Sequence, residues 1–469
     1  MRWLSLLLLL SACGGDGPSA PAGEATGSTL VDTGVSLDVA LTRRGFTVGE
    51  GAFVFSTMDA CCEEGATCLG NNPSTPYGTP FLPPAPGGPV EDDELWAWGS
   101  GPEGLSRTVR LRADEAWLLV GEAPPDAQYL SYRSYVSTRH DEETGGRRGV
   151  IGSLGPSLNH SVMEAQLGRP VFGEPFAVIT SFDPGVEAAV RGALIDAGWA
   201  TEAIFTDRIP LEVVRTGLEE DADTFFGVMR SAIYTDPGAG EAYQSAPAVR
   251  LLRLTPETPM QVEGHPIPEL LPRGSGTNED AWKPALTALQ DAVVAAFPTR
   301  LAVVQPAVAY WLETYECLEG DVNCTGDLRD RFTAITPPFT LGEDEAVVAI
   351  GVNHERTGKA TYSSASIQTI QHQVGLQSFD STRMPGSAAA WLADDPLADD
   401  LYAWVLARDC SGWPEPCFEV PLACVDDPTA EELKVTVRAY LEPTTGTAPV
   451  QTEMSIDRAI KLFPEGSAP

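Results

Sequence analysis

The 469-residue sequence has few residues of the kinds that catalysis and nucleic-acid binding use. Only five histidines occur, and neither a G-x-S-x-G nor a G-x-x-x-x-G-K-[ST] motif is present. Basic residues number 30 against 66 acidic ones, so the formal net charge is −36. This negative charge repels phosphate backbones, and we therefore expect no nucleic-acid partner.

Long apolar runs are also scarce, and the clearest one lies at the N-terminus. "MRWLSLLLLLSAC" places Arg2 before a mostly apolar run, Trp3 to Leu10, which small residues follow. This layout is typical of an export signal. The run is much shorter than the about 20 residues that a helix needs to cross a bilayer, so it does not predict a permanent transmembrane anchor.

The end of this segment, Leu10-Ser11-Ala12-Cys13, resembles the lipobox of bacterial lipoproteins. The resemblance implies a signal peptide of residues 1–12 and acyl chains on Cys13 that anchor the protein to a membrane. Residue 14 is Gly and not Asp, which in that family implies the outer membrane, with the body facing the periplasm or the outside. An ordinary secretory signal with an incidental cysteine is the alternative. Residues 13–30, rich in Gly, Pro and Ala, predict a flexible tether.

The other cysteines fit an exported protein. Eight remain besides Cys13, and an even number in such a chain predicts disulfides. They are Cys61, Cys62, Cys68, Cys317, Cys324, Cys410, Cys417 and Cys424. Short loops favour the pairs Cys317–Cys324 and Cys410–Cys417, while Cys68 takes Cys61 or Cys62 and the other reaches Cys424. A zinc site is the alternative, but the sequence has no C-x-x-C pair.

The pattern of apolar residues predicts a disulfide-stabilised α+β protein. We expect a β-rich α+β domain at 31–260, a linker at 261–276 and a mixed α+β domain at 277–469. The predicted strands are "VSLDVAL", "GAFVFST", "RTVRLRA", "AWLLVGEA", "AQYLSYRSYVSTR", "FAVITSF", "EAIFTDRIP", "RLAVVQP", "AVVAIGVN" and "LKVTVRAYL".

Helices are predicted between some of these strands. Asp183 is placed to cap a helix that ends near Gly198, and the strands on each side predict a βαβ unit or half of a ferredoxin-like fold. Residues 221–234 predict a helix, as does 277–297, where Thr277 and Asp280 resemble a capping box. Two more helices are predicted around "SAAAWLADD" and "DDLYAWVLA". No repeat of solenoid or propeller period is visible.

One stretch, "AIGVNHERTGKATYSSASIQ" at 349–368, concentrates groups that acid–base chemistry uses. His354, Glu355 and Tyr362 supply an imidazole, a carboxylate and a phenol. "HERTG" is not H-E-x-x-H, so the zinc-protease arrangement is absent. The alternative is a polar hairpin turn between two strands, with its charges in water. A second Asn-His pair, at 159–160, would bring His160 into the same pocket if the two pairs meet.

A second candidate is a cation loop at 320–330, "GDVNCTGDLRD". Asp321, Asn323, Thr325 and Asp327 place oxygen atoms at alternate positions, which resembles a calcium loop of the EF-hand or dockerin kind. The twelfth position is Phe332, where that pattern requires a carboxylate. A loop shaped by a disulfide without any ion is therefore the alternative, and no other cofactor is predicted.

Two functions remain open at this point. The favoured one is a lipid-anchored envelope lipoprotein with a non-catalytic binding or structural role and a protein or small-molecule partner outside the cytoplasm. The alternative is an exported hydrolase-type enzyme with a pocket around His354, Glu355 and Tyr362, which His160 would join if the Asn-His pairs meet. The lack of a complete catalytic motif is the reason for the preference.

Lipidation of Cys13 is directly testable. In the Cys13→Ser variant the thiol that would carry the acyl chains is gone, so we expect the protein to move from the membrane fraction to the soluble fraction. Fractionation followed by immunoblotting measures this, with Ser11→Ala as the matched control. Continued membrane association of Cys13→Ser would contradict the lipoprotein interpretation.

Overall fold

A computed structural model describes residues 33–466 except 57–67, 69, 89, 92–100, 311, 313, 321, 394 and 424. Within these residues the strands form four sheets, and short helices lie between them. The strands up to residue 256 form two sheets and those from residue 301 onward form the other two. We call residues 33–256 the first half and 277–466 the second half. The protein is α+β, as predicted.

The first half contains eleven strands and four α-helices in the described residues. The strands are β1 Phe46–Glu50, β2 Ala52–Phe55, β3 Tyr77–Phe81, β4 Ala116–Glu122, β5 Ala127–His140, β6 Arg147–Ser153, β7 Leu158–Asn159, β8 Pro175–Ser181, β9 Ile204–Arg208, β10 Thr224–Tyr234 and β11 Val249–Pro256. The helices are α1 Leu37–Arg43, α2 His160–Leu167, α3 Pro184–Asp196 and α4 Pro237–Ser245. The outer sheet has the order β1-β11-β4-β8-β9, and the inner sheet has the order β2-β3-β10-β5-β6.

The second half contains ten strands and two α-helices in the described residues. The strands are β12 Leu301–Pro306, β13 Val308–Ala309, β14 Arg331–Ile335, β15 Ala346–Val352, β16 Tyr362–Thr369, β17 Gly375–Asp380, β18 Leu401–Ala407, β19 Cys417–Glu419, β20 Leu433–Tyr440 and β21 Arg458–Phe463. The helices are α5 Lys283–Ala296 and α6 Thr314–Glu319. The outer sheet has the order β12-β21-β15-β18-β19, and the inner sheet has the order β13-β14-β20-β16-β17.

The two halves repeat one fold. Their outer sheets have the same strand order, with a parallel pair at the same edge, β8 with β9 and β18 with β19. Their inner sheets also have the same order. The register agrees too, because Arg253 lies opposite Trp117 in one outer sheet and Lys461 lies opposite Val347 in the other. The chain is therefore an internal repeat of about half its length.

A buried ion pair occurs at the same place in both halves. The Arg253 guanidinium lies 2.9 Å from the Glu115 carboxylate, and the Lys461 ammonium lies 3.1 Å from the Glu345 carboxylate. Both glutamates also accept a hydrogen bond from the backbone N–H three residues earlier. In sequence the two glutamates belong to matching D-E-A-x-x-x-x-G segments, 114–121 and 344–351. These segments are a sequence signal of the repeat.

Each half is a sandwich with helices on its outer face. In the first half α1 and α3 pack on the outer sheet, and Trp117 and Met229 lie in the core between the two sheets. The Trp117 indole donates to the Tyr132 hydroxyl at 2.7 Å, so the ring is fixed from both sheets. In the second half α5 packs on the outer sheet through residues such as Leu289, and Trp404 lies in the core between the sheets.

The two halves meet through their inner sheets. The Tyr129 ring of β5 lies 5.1 Å from the Tyr440 ring of β20, and the Asn72 amide donates to the Tyr362 hydroxyl at 2.7 Å. Equivalent faces of the two copies are thus in contact, as in an isologous dimer. The two cores are apolar, whereas this contact contains many polar side chains. Every second residue of β10, β16 and β20 points toward the contact, and many of these residues are polar.

Each half also extends an arm onto the other half. The first arm, residues 68 and 70–76, is bonded to the turn between β16 and β17, where Cys68 and Gly70 donate to the carbonyls of residues 372 and 373. The second arm, residues 314–320 and 322–330, is bonded to β6, where Cys324 and Gly326 donate to the carbonyls of residues 150 and 151. Both arms therefore carry a C-x-G segment that makes the same two hydrogen bonds.

Disulfide stabilisation is confirmed. Cys317 is bonded to Cys324 in the second arm, and Cys410 is bonded to Cys417 between β18 and β19. In the first half, α3 occupies the corresponding connection between the parallel strands. Cys68 is disulfide-bonded as well. The other cysteines of the prediction, Cys13, Cys61, Cys62 and Cys424, lie outside the described residues.

The βαβ prediction is confirmed, because β8 and β9 are parallel and α3 connects them. The Asp183 carboxylate caps α3 by accepting from the N–H groups of Gly185 and Val186. The predicted strand "VSLDVAL" is wrong, because Ser36 caps α1 there. The predicted strand "RTVRLRA" is reduced to a single bridge between Val109 and Phe225.

Two predicted helices are strands. Residues 224–234 form β10, and residues 401–407 form β18, each with a hydrogen-bonded strand on both sides. In β10 the side chains alternate, so that Met229 enters the core while Arg230 faces the second half. Apolar residues that also fit a helical spacing misled the prediction, since pairing in the sheet overrides local propensity. Residues 387–393 of the segment "SAAAWLADD" form turns and no helix, and α5 begins at Lys283 without a side-chain cap.

Among the described residues, no helix has the length and apolar character that crossing a membrane requires.

The buried ion pair of the first half should be essential for stability. Replacing Arg253 with Met leaves the fully buried Glu115 without its counter-charge, and breaking such a pair costs about 3–5 kcal/mol. The control is Arg250→Met on the same strand, because the Arg250 side chain is 45% exposed and its ion pairs contribute about 1 kcal/mol or less. Urea denaturation measures both. Equal losses for the two variants would contradict the role given to Arg253.

Candidate functional site

The sequence-predicted loop does not form a hairpin. Residues 353–361 connect β15 of the outer sheet to β16 of the inner sheet, so they cross from one layer to the other. Asn353, His354 and Lys359 are almost completely buried. The interpretation as a polar turn with its charges in water is therefore wrong, since the crossing carries these residues into the interior.

His354 lies between two buried carboxylates. Its Nδ1 is 2.8 Å from Glu279 Oε1, and its Nε2 is 3.6 Å from Asp457 Oδ2. Burial alone would lower the pKa of His354, but Glu279 and Asp457 raise this pKa to about 10. Burial would raise the pKa of Glu279, and the contact with His354 and other hydrogen bonds lower it instead. The imidazole is therefore a cation at neutral pH.

Lys359 is the second buried cation of this loop. Its ammonium group donates to the carboxylates of Glu442 and Glu453, the latter at 2.6 Å. Glu453 also accepts from the N–H of Ser275, and Glu279 accepts from the N–H of Ser455. These bonds hold the segment before α5 against the loop that follows β20. Pairing of this kind is a structural arrangement, because every charge already has its partner.

The other predicted catalytic residues lie in different surroundings. The half-buried Glu355 accepts from the Gln128 amide at 3.2 Å. The buried Tyr362 hydroxyl contacts Asn72 and Thr75. Each of the three side chains, His354, Glu355 and Tyr362, thus has a separate set of partners.

The second Asn-His pair serves a helix. Asn159 caps α2 by accepting from the N–H of Val162, and its amide donates to Asp330 at 3.2 Å. His160 accepts from the N–H of Leu130 at 3.4 Å, and burial lowers its pKa, so the ring is neutral at pH 7. The two Asn-His pairs therefore have different partners and different charge states.

The predicted cation loop belongs to the second arm. Asp321 lies outside the described residues. Asn323 accepts from the N–H of Thr325, and the Asp327 carboxylate accepts from both the N–H and the hydroxyl of Ser153. The described residues contain no group of three or more His, Cys, Asp or Glu side chains placed to hold a metal ion. The described oxygen atoms of this loop bond to the protein itself.

An open cavity lies elsewhere, on the inner sheet of the second half. Its volume is about 260 Å³. Lys434, Thr436 and Arg438 alternate along β20 and line it, together with Thr333 of β14 and Gln368 of β16. The first arm and the second arm also reach it, through Gly70 and Thr325. We call it the second-half cavity, and it is formed by both halves of the chain.

The second-half cavity is positively charged. Arg331, Lys434 and Arg438 line it, and none of its lining residues is acidic. Arg438 is only 3% exposed; its Nη1 donates to Ser366 and its Nη2 to the Gly70 carbonyl, while its Nε has no partner. Burial lowers the pKa of Arg438. The Tyr440 hydroxyl opposes this effect, and the nearby Arg331 adds to it. Burial and Arg438 likewise lower the pKa of Lys434.

The pKa of Tyr440 reflects the positive charge of the neighbouring arginines. Its ring stacks on Tyr362 at 4.8 Å, and it is completely buried. Burial alone would raise the pKa of Tyr440, but Arg331 and Arg438 lower it below its usual value. A negative charge is therefore favoured beside these arginines.

The first half has the equivalent position, and it is nearly filled. By strand register, Arg230 corresponds to Arg438, because each lies opposite a serine of the neighbouring strand. The space next to Arg230 has a volume of only about 20 Å³. In these pairs the first residue belongs to the first half and the second to the second half: Tyr77 and Thr333, Tyr135 and Gln368, Phe226 and Lys434, Val228 and Thr436.

Aromatic rings cover the cation of the first half. The Arg230 guanidinium lies 5.5 Å from the ring centres of both Tyr77 and Tyr135, and Tyr135 stacks on Phe226 at 4.9 Å. In the second half, smaller or polar side chains stand at these places, and the space is open. The two copies therefore share an arginine and differ in what surrounds it.

Sequence reasoning missed this cavity because no local motif marks it. Its residues come from three strands, two arms and two connecting segments that lie far apart in the chain. The repeated segments "CLG" at 68–70 and "CTG" at 324–326, with the two D-E-A segments, were the available signal. They would have aligned the halves and shown which positions differ.

Comparisons with known proteins add little. No protein-family model and no curated protein matches the sequence. Among solved structures, an uncharacterised protein from Burkholderia cenocepacia is similar over 92% of this chain and 88% of its own, with 11% identity and a TM-score of 0.39. A protein from Vibrio parahaemolyticus is similar over 76% of this chain and 88% of its own, with 10% identity and a TM-score of 0.34. At these values the likenesses carry no argument about function.

The charge state of His354 predicts a pH dependence of stability. Its folded pKa of about 10 exceeds the unfolded value of about 6.5, so its contribution is complete below about pH 6.5 and is lost as the pH rises toward 10. His354→Gln should cost about 3–5 kcal/mol near pH 7, because Glu279 and Asp457 lose their counter-charge. This difference from the wild type should shrink by up to about 1.4 kcal/mol per pH unit toward pH 10.

Urea denaturation across this pH range measures the difference. The control is Glu355→Gln at the neighbouring, half-buried position, which should cost about 1 kcal/mol or less because only one hydrogen bond is weakened. Parallel curves for the wild type and His354→Gln between pH 7 and pH 10 would show that His354 is not the paired cation described above.

Proposed function

We propose that this protein is a lipid-anchored envelope lipoprotein whose exported body is a non-catalytic binding protein, with its ligand in the second-half cavity. The single observation that carries the binding role is the open, polar cavity of about 260 Å³ at the boundary between the two halves. Binding sites are commonly concave and located between domains, with a few polar groups that fix the ligand.

The comparison of the two copies supports this assignment. In the first half, Tyr77, Tyr135 and Phe226 fill the equivalent place with well-packed rings. The fold therefore allows this position to be filled with side chains, without a cavity. Polar side chains that leave a cavity open forgo apolar burial worth about 1.5–3 kcal/mol for each large side chain, and a binding role explains this loss.

The envelope location rests on the sequence and on the disulfides. The lipobox-like segment that ends at Cys13 predicts acylation, and structural disulfides are typical of exported proteins. The outer membrane is the proposed site of anchoring because residue 14 is Gly.

The geometry favours binding over the hydrolase alternative. A general base must be neutral and within hydrogen-bond reach of its proton, whereas His354 is buried, cationic and paired with two carboxylates. Tyr362 and Glu355 have other partners. No observation in the described residues gives these three groups a common pocket.

A variant that copies the first half into the second tests the binding role. The triple change Gln368→Tyr, Lys434→Phe and Thr436→Val should fill the second-half cavity, because these residues already pack together in the first half. We would measure thermal unfolding of the wild type and this variant with sugars, amino acids, nucleotides and organic acids. A ligand at a hundred times its Kd adds about 2.7 kcal/mol of stability, a shift of roughly 5 °C.

The expected result is that one class of compound raises the midpoint of the wild type and leaves the filled variant unchanged. The unliganded midpoints serve as the control for folding of the variant. If every compound shifts both proteins equally, or none shifts the wild type, the binding role of this cavity is wrong.

A further inference from the structure

The second-half cavity collects positive charge in a strongly acidic chain. Two cations, Arg230 and Arg331, line the equivalent place in the first half, and Arg331 also lines the second-half cavity, where Lys434 and Arg438 bring the number to three. Lys434 stands where the first half has Phe226. With 66 acidic residues against 30 basic ones, a place lined by three cations and no carboxylate is unusual in this protein.

Three other buried arginines of the described residues are paired with carboxylates. Arg139 lies 2.7 Å from Asp223, and Arg253 lies 2.9 Å from Glu115. Arg133 forms a similar buried pair. Within the described residues, no ion pair reaches Arg331, Lys434 or Arg438. The cavity therefore leaves its cations without the counter-charge that this fold supplies elsewhere.

Burying an unpaired cation is costly, and the cost is relieved by a counter-charge or by an aromatic face. In the first half, the rings of Tyr77 and Tyr135 lie over Arg230. In the second half, Thr333 and Gln368 occupy those positions, so Arg438 lacks these rings; its Nε has no partner, as is also true of the Nε of Arg230. The open space next to Arg438 is thus where a ligand would supply the missing negative charge.

We propose that the second-half cavity binds a small oxyanion, the carboxylate or phosphate group of a polar molecule, with Arg438, Lys434 and Arg331 as its counter-charges. This inference rests on the proposed function and names the ligand class of the same site. A guanidinium fits the planar geometry of a carboxylate or phosphate, and the ammonium of Lys434 adds a mobile point charge. The cavity volume restricts the ligand to a small molecule.

Two buried aspartates of the second arm, Asp327 and Asp330, have partners of their own. Asp330 accepts hydrogen bonds from Tyr129 and Asn159, and burial raises its pKa to about 6. Asp327 is bonded to Ser153. Neither aspartate lines the second-half cavity. The three cations therefore face the open space without an internal competitor.

Isothermal titration calorimetry at constant ionic strength tests the proposal. The probes are inorganic phosphate, citrate and, as a neutral polar molecule, glucose. We expect phosphate or citrate to bind the wild type. Lys434→Gln should weaken this binding about tenfold or more, because a hydrogen bond to a charged group is lost. Lys434 is half-buried and has no partner in the described residues, so this variant should fold.

The matched control is Lys283→Gln, which removes the same charge from an exposed position on α5. It should bind the anions as the wild type does. Binding of phosphate alone or of citrate alone would distinguish a phosphate ligand from a carboxylate ligand. The inference fails if neither anion binds the wild type, or if Lys434→Gln and Lys283→Gln bind equally.

Failure of the inference can be separated from failure of the proposed function. If glucose or another neutral compound binds the wild type and not the filled variant, while the anions do not bind, the cavity is a binding site and the ligand is not an oxyanion. If no compound distinguishes the wild type from the filled variant, the binding role itself is wrong.

Discussion

The contact between the two inner sheets is polar where stacked sheets usually interdigitate apolar side chains. Tyr129, Tyr362 and Tyr440 lie in this contact with the buried guanidiniums of Arg230 and Arg438. Buried polar groups require partners, so each hydroxyl and guanidinium fixes the position of its neighbours across the boundary. The arms contribute to the same requirement, because the first arm supplies the Gly70 carbonyl to Arg438. The position of the cavity depends on this polar layer.

Repetition of one sandwich explains how a closed and an open version of the same place occur in one molecule. The outer layers of both halves use the same strand order and the same buried ion pair between the outer strands. Because these layers build the cores, they constrain the backbone of the inner sheets. The side chains on the inner faces can then differ between the two halves, and Phe226 of the first half corresponds to Lys434 of the second. The proposed binding role thus uses the inner faces, while the outer layers build the cores.

The buried cations His354 and Lys359 show why a cluster of reactive residue types need not be a reactive site. Both lie in the crossing from the outer to the inner sheet of the second half, and both are surrounded by carboxylates from distant segments. In a chain with so many acidic residues, such cations compensate negative charges that the fold brings inside. Their role is therefore to hold the segment before α5 against the loop that follows β20.

Much of the fold class followed from local pattern, since alternating runs such as that of β5 and the capped helix α3 specify their own structure. The predicted export signal, the candidate lipidation site and the disulfides of the short loops also depend only on neighbouring residues. The strands β10 and β18 did not, because sheet pairing decided them against a helical spacing. The environment of His354 and the charge of the second-half cavity were decided only by tertiary structure, because carboxylates and cations from segments far apart in the chain determine them.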